Sequence, residues 1–262
     1  MHITRAVVIA LNIVDVIHLQ HQLSVHVAPE VSVVQAINAS SAMVMTKDTL
    51  PVYTRHLIRY GRQNHVQIGN WAMLGCLLSH ISVWRGIAPG ETVAVFEEDA
   101  HIDAVSAIRL ESLGRDMDSV QTGWDMVMLD KGQLIDTGRS VYVGDGMAAR
   151  CAEGEACMRY GTRGYLLRYE GANTLLHFTN PNVVQVDALV ALVATYSPAT
   201  FRLFWSTEDI AHPSNWRLST VWDGCVWECF FREWLVILML VPLFVFTLCK
   251  MRSLCKHWVL KT

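Results

Sequence analysis

Short apolar runs and stretches of helical spacing alternate along the first two thirds of the chain. Residues 6–11 (AVVIAL) and 31–37 (VSVVQAI) read as buried strands, and residues 14–27 between them as a helix running into a loop. Strand, helix, strand in this order predicts a βαβ unit and a parallel sheet. Residues 41–67 have no clear period, contain Pro51, and read as irregular. Residues 70–85 (NWAMLGCLLSHISVWR) carry apolar positions at helical spacing, with Asn70 placed to cap the helix. After a turn at Pro89-Gly90, residues 92–96 form a strand, 104–113 a helix and 124–129 (WDMVML) another strand. Residues 136–155 are rich in glycine and small residues and read as a loop with room for one short strand. Residues 165–168 are strand-like and 170–178 helical, and no internal repeat is present.

The pattern changes near the end. Residues 234–249 (WLVILMLVPLFVFTLC) hold no charged residue and lie between Arg232/Glu233 and Lys250. Sixteen residues fall just short of a bilayer span of about 20, but flanking Trp227, Phe230, Phe231, Trp234 and Trp258, with snorkelling Arg232 and Lys250, extend the segment. Pro242 suits a membrane helix better than a buried soluble one. The expectation is an α/β domain over residues 1–222 and a membrane-anchoring helix with a basic tail over 223–262. The alternative is a buried C-terminal core helix. The basic tail (Lys250, Arg252, Lys256, His257, Lys261) points to a cytoplasmic C-terminus, whereas the N-terminus makes a poor signal peptide, so orientation stays open.

Composition narrows the classes. The 262 residues are 52% hydrophobic and 17% charged, which excludes a disordered chain, and the mean hydropathy of +0.27 is raised mainly by the terminal segment. A net charge of −3 with no basic stripe gives no reason to expect nucleic-acid binding. Seven cysteines form no CxxC pair and no zinc pattern, and most read as reduced and inert. Cys151 and Cys157 could close a small disulfide loop in an oxidising compartment. His18 and His21 lie at i, i+3 spacing but lack a carboxylate or thiol partner, which favours a surface face. Asn38-Ala39-Ser40 is a glycosylation sequon of a kind common by chance.

The chemistry concentrates in VAVFEEDAHID. Glu97, Glu98 and Asp99 follow directly on an apolar strand, where like charges repel unless they are solvated or share a cation. A divalent metal at the carboxyl edge of a sheet would explain them; a solvated turn is the plainer alternative. In an extended segment Glu97 and Asp99 point one way and Glu98 the other. Asp187, inside the apolar run VVQVDALVAL, is expensive to bury without a partner or a task, and could equally cap a helix.

Three segments in order, GCLLSHISVW (75–84), AVFEEDA (94–100) and GTRGYLLRYEGANTLL…VQVDALV (161–190), resemble glycosyltransferase family 25, which includes lipooligosaccharide and collagen galactosyltransferases. The similarity runs from about residue 5 to about residue 222. It implies a single GT-A-like α/β domain with a mostly parallel central sheet. It also implies inverting transfer of galactose or glucose from a UDP-sugar to a glycan, a lipid-linked glycan or a protein hydroxyl, with Mn²⁺ or Mg²⁺. By resemblance Glu97, Glu98 and Asp99 hold the metal, where the family usually has Glu-Asp-Asp. Asp187 matches its second acidic motif and is the expected base. Ser79 and His80 line the donor site, with a satisfied core histidine as the competing reading of His80. Gly161, Thr162, Gly164 and Tyr165 close over the donor sugar. The chain departs from the family pattern in NIVDVIHLQHQL after the first strand and at Ala36-Ile37-Asn38-Ala39 after the second.

Two other classes compete. One is a catalytically silent relative with a binding or scaffolding role. The other is a metal-dependent phosphoester hydrolase, for which further His/Asp ligands cannot be assembled from the sequence.

Overall fold

The computed structural model describes residues 1–213 apart from 63, 65, 121–122, 131–132, 135–138, 153–158 and 182. The strands are β1 (Arg5–Ala10), β2 (Val31–Gln35), β3 (Thr92–Glu97), β4 (Ala100–His101), β5 (Met126–Met128), β6 (Gln133–Leu134), β7 (Ser140–Val143), β8 (Ala148–Cys151), β9 (Arg159–Tyr160), β10 (Gly164–Arg168), β11 (Leu203–Ser206) and β12 (His212–Pro213). The helices are α1 (Ile17–His26), α2 (Ala39–Thr46), α3 (Val52–Tyr60), α4 (Trp71–Arg85), α5 (Ala104–Asp118), α6 (Tyr169–His177) and α7 (Val186–Tyr196).

The main sheet runs β2-β1-β3-β10-β5-β11-β8-β7. β1 is parallel to β2 and β3, and β5 to β11; β10 is antiparallel to both β3 and β5, and β8 to both β11 and β7. Six of the eight strands therefore point the same way, with β10 and β8 reversed, so the expected mostly parallel α/β sheet is observed. The reversal of β10 places its amino end beside the carboxyl ends of β3 and β5. That junction builds the site.

Side-chain alternation along the central strands feeds two cores. Ala6, Val8, Ala94 and Phe96 pack with Leu19 and Leu23 of α1 and Leu110 and Leu113 of α5. On the opposite face α4 packs against α2, α6 and α7. The Asn70 side chain accepts from the Met73 amide at 2.8 Å, the expected cap of α4.

Two segments differ from the sequence reading. Residues 41–67, expected to be irregular, contain α2 and α3. α2 buries only Ala42 and Thr46, a stripe too narrow to register as an apolar period, whereas α3, which buries Thr54 and Leu57, does carry helical periodicity that the irregular reading passed over. Asn38, the sequon asparagine, caps α2 by accepting from Ser41 N at 2.8 Å. The loop expected over 136–155 carries the hairpin β7–β8, held by the buried Asp116 carboxylate, which accepts from the amides of Asp145, Met147 and Ala148. That anchor lies about thirty residues upstream of its amides, beyond any local pattern. His18 and His21 lie on the exposed side of α1. Among the described residues no helix is long and apolar enough to cross a membrane, and the expected anchor over 223–262 lies outside them.

Candidate functional site

The site is assembled at the carboxyl edge of β3 from α4, the amino end of β10, the segment after β5 and the first turn of α7. α4 is pinned there by close backbone contact. A Cβ on Gly75 would come within 2.2 Å of Ile37 O, so only glycine lets the helix approach the segment that follows β2. One turn on, Ser79 Oγ donates to Gly75 O at 2.7 Å and accepts from Ile37 N at 2.8 Å. The serine is buried and fully committed to backbone, so it fixes the Ala36–Ala39 segment from beneath rather than facing a ligand.

His80 is completely buried. Its Nδ1 lies 2.8 Å from Tyr165 Oη and its Nε2 3.3 Å from Glu97 Oε1. Trp84 Nε1 donates to the same tyrosine oxygen at 2.9 Å. An indole N–H can only donate, so Tyr165 accepts from Trp84 and directs its own proton to His80 Nδ1. That leaves the proton of a neutral imidazole on Nε2, donated to Glu97. Thr162 Oγ1 donates to Glu97 Oε1 at 2.5 Å, completing a chain from a buried tryptophan to the last residue of β3.

The three acids of the triplet separate. Burial raises the Glu97 pKa, but the hydrogen bonds from His80 and Thr162 and the charge of Arg163 outweigh it and hold this carboxyl below its ordinary value. Glu98 turns back and accepts from Leu11 N at 3.0 Å, bracing the loop after β1. Asp99 lies 3.8 Å from Arg163 Nε, and its Oδ1 is buried without a hydrogen-bond partner. Burial, together with the Glu97 charge and against the pull of Arg163, pushes its pKa up to about 6. β3 ends at Glu97, so strand alternation no longer governs the two residues beyond it.

Asp187 sits in the first turn of α7 rather than at its N-cap, which is Gln185. Its Oδ1 accepts from the Ala188 amide at 2.7 Å. Burial is the largest influence on its pKa, the amide opposes it, the Glu97 charge adds to it, and the result is about 6. Glu97, Asp99 and Asp187 thus share one electrostatic field.

Of the glycine-rich segment, Thr162 and Tyr165 belong to the buried chain described above. A Cβ on Gly164 would lie 2.6 Å from the Ala211 Cβ and 3.1 Å from the Phe96 ring, so this glycine makes room for the core rather than for a ligand. Gly161, at φ +128°, turns the chain beside Asp130.

Three residues of the site escape sequence reasoning. Asp130, just beyond β5, is buried and receives Arg163 Nη1 at 3.2 Å, so Arg163 stands between Asp99 and Asp130. Cys76 brings its thiol toward His80 and Glu97, their ligand atoms lying within 4.8 Å of one another. Burial, with the charges of Glu97, Asp187 and Asp99, pushes the thiol pKa well up, which makes it a poor nucleophile. The i, i+4 spacing of Cys76 and His80 was the available signal. Cys151 is disulfide-bonded, while Cys157 lies outside the described residues.

No protein-family profile matches the chain. Individual relatives do. The human inactive glycosyltransferase 25 family member 3 is 33% identical over 108 residues, 39% of this chain and 17% of that protein. Procollagen galactosyltransferase 1-A of Xenopus laevis is 27% identical over 114 residues, 40% and 17% of the respective lengths. Human procollagen galactosyltransferase 2 is 24% identical over 220 residues, 72% of this chain and 32% of the relative. The matched region therefore spans a third or less of each of these relatives. Over part of its length the chain is therefore similar to members of the glycosyltransferase 25 family.

Proposed function

We propose that the chain transfers a hexose, galactose or glucose, from a UDP-sugar to a hydroxyl of a glycan, a lipid-linked glycan or a protein, with inversion, in a GT-A-like domain. The observation that carries this reading is Asp187, a carboxylate held near neutrality in a field shared with two other acids at a strand edge. A base that deprotonates an acceptor hydroxyl works best when its pKa lies near the operating pH. The relatives that are galactosyltransferases by name support the sugar.

The donor set also fits a hard divalent cation. Asp99 Oδ1 is a buried oxygen without a partner, and the neighbouring Glu97 and Asp187 add negative charge. Asp99 would hold Mn²⁺ or Mg²⁺, with Glu97 or Asp187 beside it, while Glu98 is engaged elsewhere. Such an ion supplies charge stabilisation to a departing diphosphate. Around it, Arg163 orients Asp99 and balances its charge, Thr162 and His80 fix the Glu97 carboxylate, and Asp187 receives the acceptor proton.

A second reading is a silent relative, and Arg163 favours it by already neutralising Asp99 from 3.8 Å. Titration of the chain with UDP-galactose and UDP-glucose by calorimetry, with Mn²⁺ and with chelator, separates the two. Metal-dependent binding that is lost in Asp99→Asn supports the transferase. Absence of binding to any UDP-sugar rejects it. Membrane association through residues 234–249 belongs to the same proposal, and phase partitioning of the chain with and without that segment tests it.

A further inference from the structure

The transferase reading gives Cys76 no task, although it draws on the His80 and Glu97 beside it. Cys76 and His80 lie one turn apart on α4, and Glu97 meets them from the end of β3. One sulfur, one ring nitrogen and one carboxylate oxygen lie within 4.8 Å of one another. The Nε2 edge of His80 is the edge that faces Glu97. A hard ion such as Mn²⁺ or Mg²⁺ prefers oxygen and has little use for sulfur, so a set that includes a thiol is matched to a different metal.

We propose that Cys76, His80 and Glu97 form a binding site for a borderline-soft divalent cation of the zinc class, distinct from the oxygen position at Asp99. Three mixed ligands with one coordination position left over is the arrangement such ions adopt where they remain accessible. Two ligands come from successive turns of a single helix that close packing at Gly75 holds in place, and the third from a central strand, so little has to be ordered on binding.

The outer contacts of the site are present as well. Tyr165 Oη lies 2.8 Å from His80 Nδ1 and is itself fixed by Trp84, while Thr162 steadies Glu97 Oε1. Partners of this kind orient metal ligands. On binding, the thiol proton leaves to solvent. The imidazole stays neutral with its proton moved to Nδ1, where Tyr165 Oη accepts it beside the Trp84 indole proton, and the tyrosine gives up His80 as its own acceptor. Nothing is oxidised or reduced. This inference does not depend on the chain being a transferase.

The test uses Co²⁺ as the probe, titrated into the reduced full chain and followed by the near-ultraviolet absorption of a cobalt–thiolate bond. The expected result is a saturable band that Zn²⁺ removes and Mn²⁺ does not. It should be retained in Asp99→Asn and lost in Cys76→Ser, which removes the sole sulfur of the proposed site. A band that persists unchanged in Cys76→Ser comes from other cysteines and overturns the proposal. Wild-type protein supplies a check that needs no variant: Zn²⁺ should slow alkylation of Cys76, mapped by mass spectrometry. Alkylation at the same rate with and without Zn²⁺ also overturns it.

Discussion

His80 Nε2 lies 3.3 Å from Glu97 Oε1, and this contact joins two segments that the chain keeps 17 residues apart. It couples the helix that carries the histidine to the strand that carries the acids. The imidazole is held from behind by Tyr165 and Trp84, so the orientation of a carboxylate at the site is set by side chains buried in the core. The geometry converts core packing into the placement of charge.

Replacing Tyr165 by phenylalanine tests that coupling. The ring keeps its volume, but Trp84 Nε1 and His80 Nδ1 lose their common partner in a fully buried setting. Leaving such groups unpaired costs about 1–3 kcal/mol, which denaturant unfolding should record as a lower midpoint at unchanged slope. Stability equal to wild type would mean the chain of hydrogen bonds contributes nothing net.

Gly75→Ala probes the contact beneath α4. The added methyl would stand 2.2 Å from Ile37 O, a backbone atom that cannot rotate away. Helix propensity alone favours alanine by up to about 1 kcal/mol, so the two effects oppose one another. Overpacking of this kind typically costs about 1–3 kcal/mol and should win, lowering the thermal midpoint. The segment 36–39 should loosen as well, seen as faster amide exchange at Ile37, whose N–H is bonded to Ser79.

Strands and long helices were legible because apolar alternation and the Asn70 cap are local signals. The direction of β10 was not, since alternation in GYLLR marks a strand without its sense. The acid triplet was legible as chemistry but not as geometry. Its members part company because Glu98 finds Leu11 N, 87 residues upstream in the chain, and Asp99 finds Arg163. Asp130 and Arg163 were missed for the same reason: each looks like an ordinary polar residue at a strand end until the fold pairs them. Cys76 was read as inert because the two side chains that meet its thiol, His80 and Glu97, come from a helix and a strand.

The raised carboxyls give the stability a pH signature. Asp99 and Asp187 titrate at about 6 in the folded chain, above their ordinary value of 3.8, so the folded state binds protons more readily than the unfolded one. Their contribution is therefore fully present below about pH 4 and is lost as the pH rises through 6. Glu97 acts in the opposite sense, because its lowered pKa withdraws stability only as the pH falls below its ordinary 4.5. In chelator, unfolding free energy should fall as the pH is raised from 5 to 7, and Asp99→Asn with Asp187→Asn should flatten that fall. A wild-type profile that is already flat would contradict the burial of these acids.

Glu98 and Asp99 are adjacent in sequence and should behave differently toward a divalent ion. Glu98→Gln keeps an oxygen to accept from Leu11 N at 3.0 Å, and the charge it removes is the weakest of the influences on Asp99. Mn²⁺ affinity should therefore change by less than about twofold, within the small range expected for a surface charge screened by solvent. Asp99→Asn removes the charge from a buried oxygen that has no other partner, and should weaken Mn²⁺ by at least about tenfold, a loss of roughly 1.4 kcal/mol. Isothermal titration of both variants at pH 7.5 decides the matter. Equal losses would mean the whole triplet acts as one diffuse negative patch, and the assignment of the cation to Asp99 would fall.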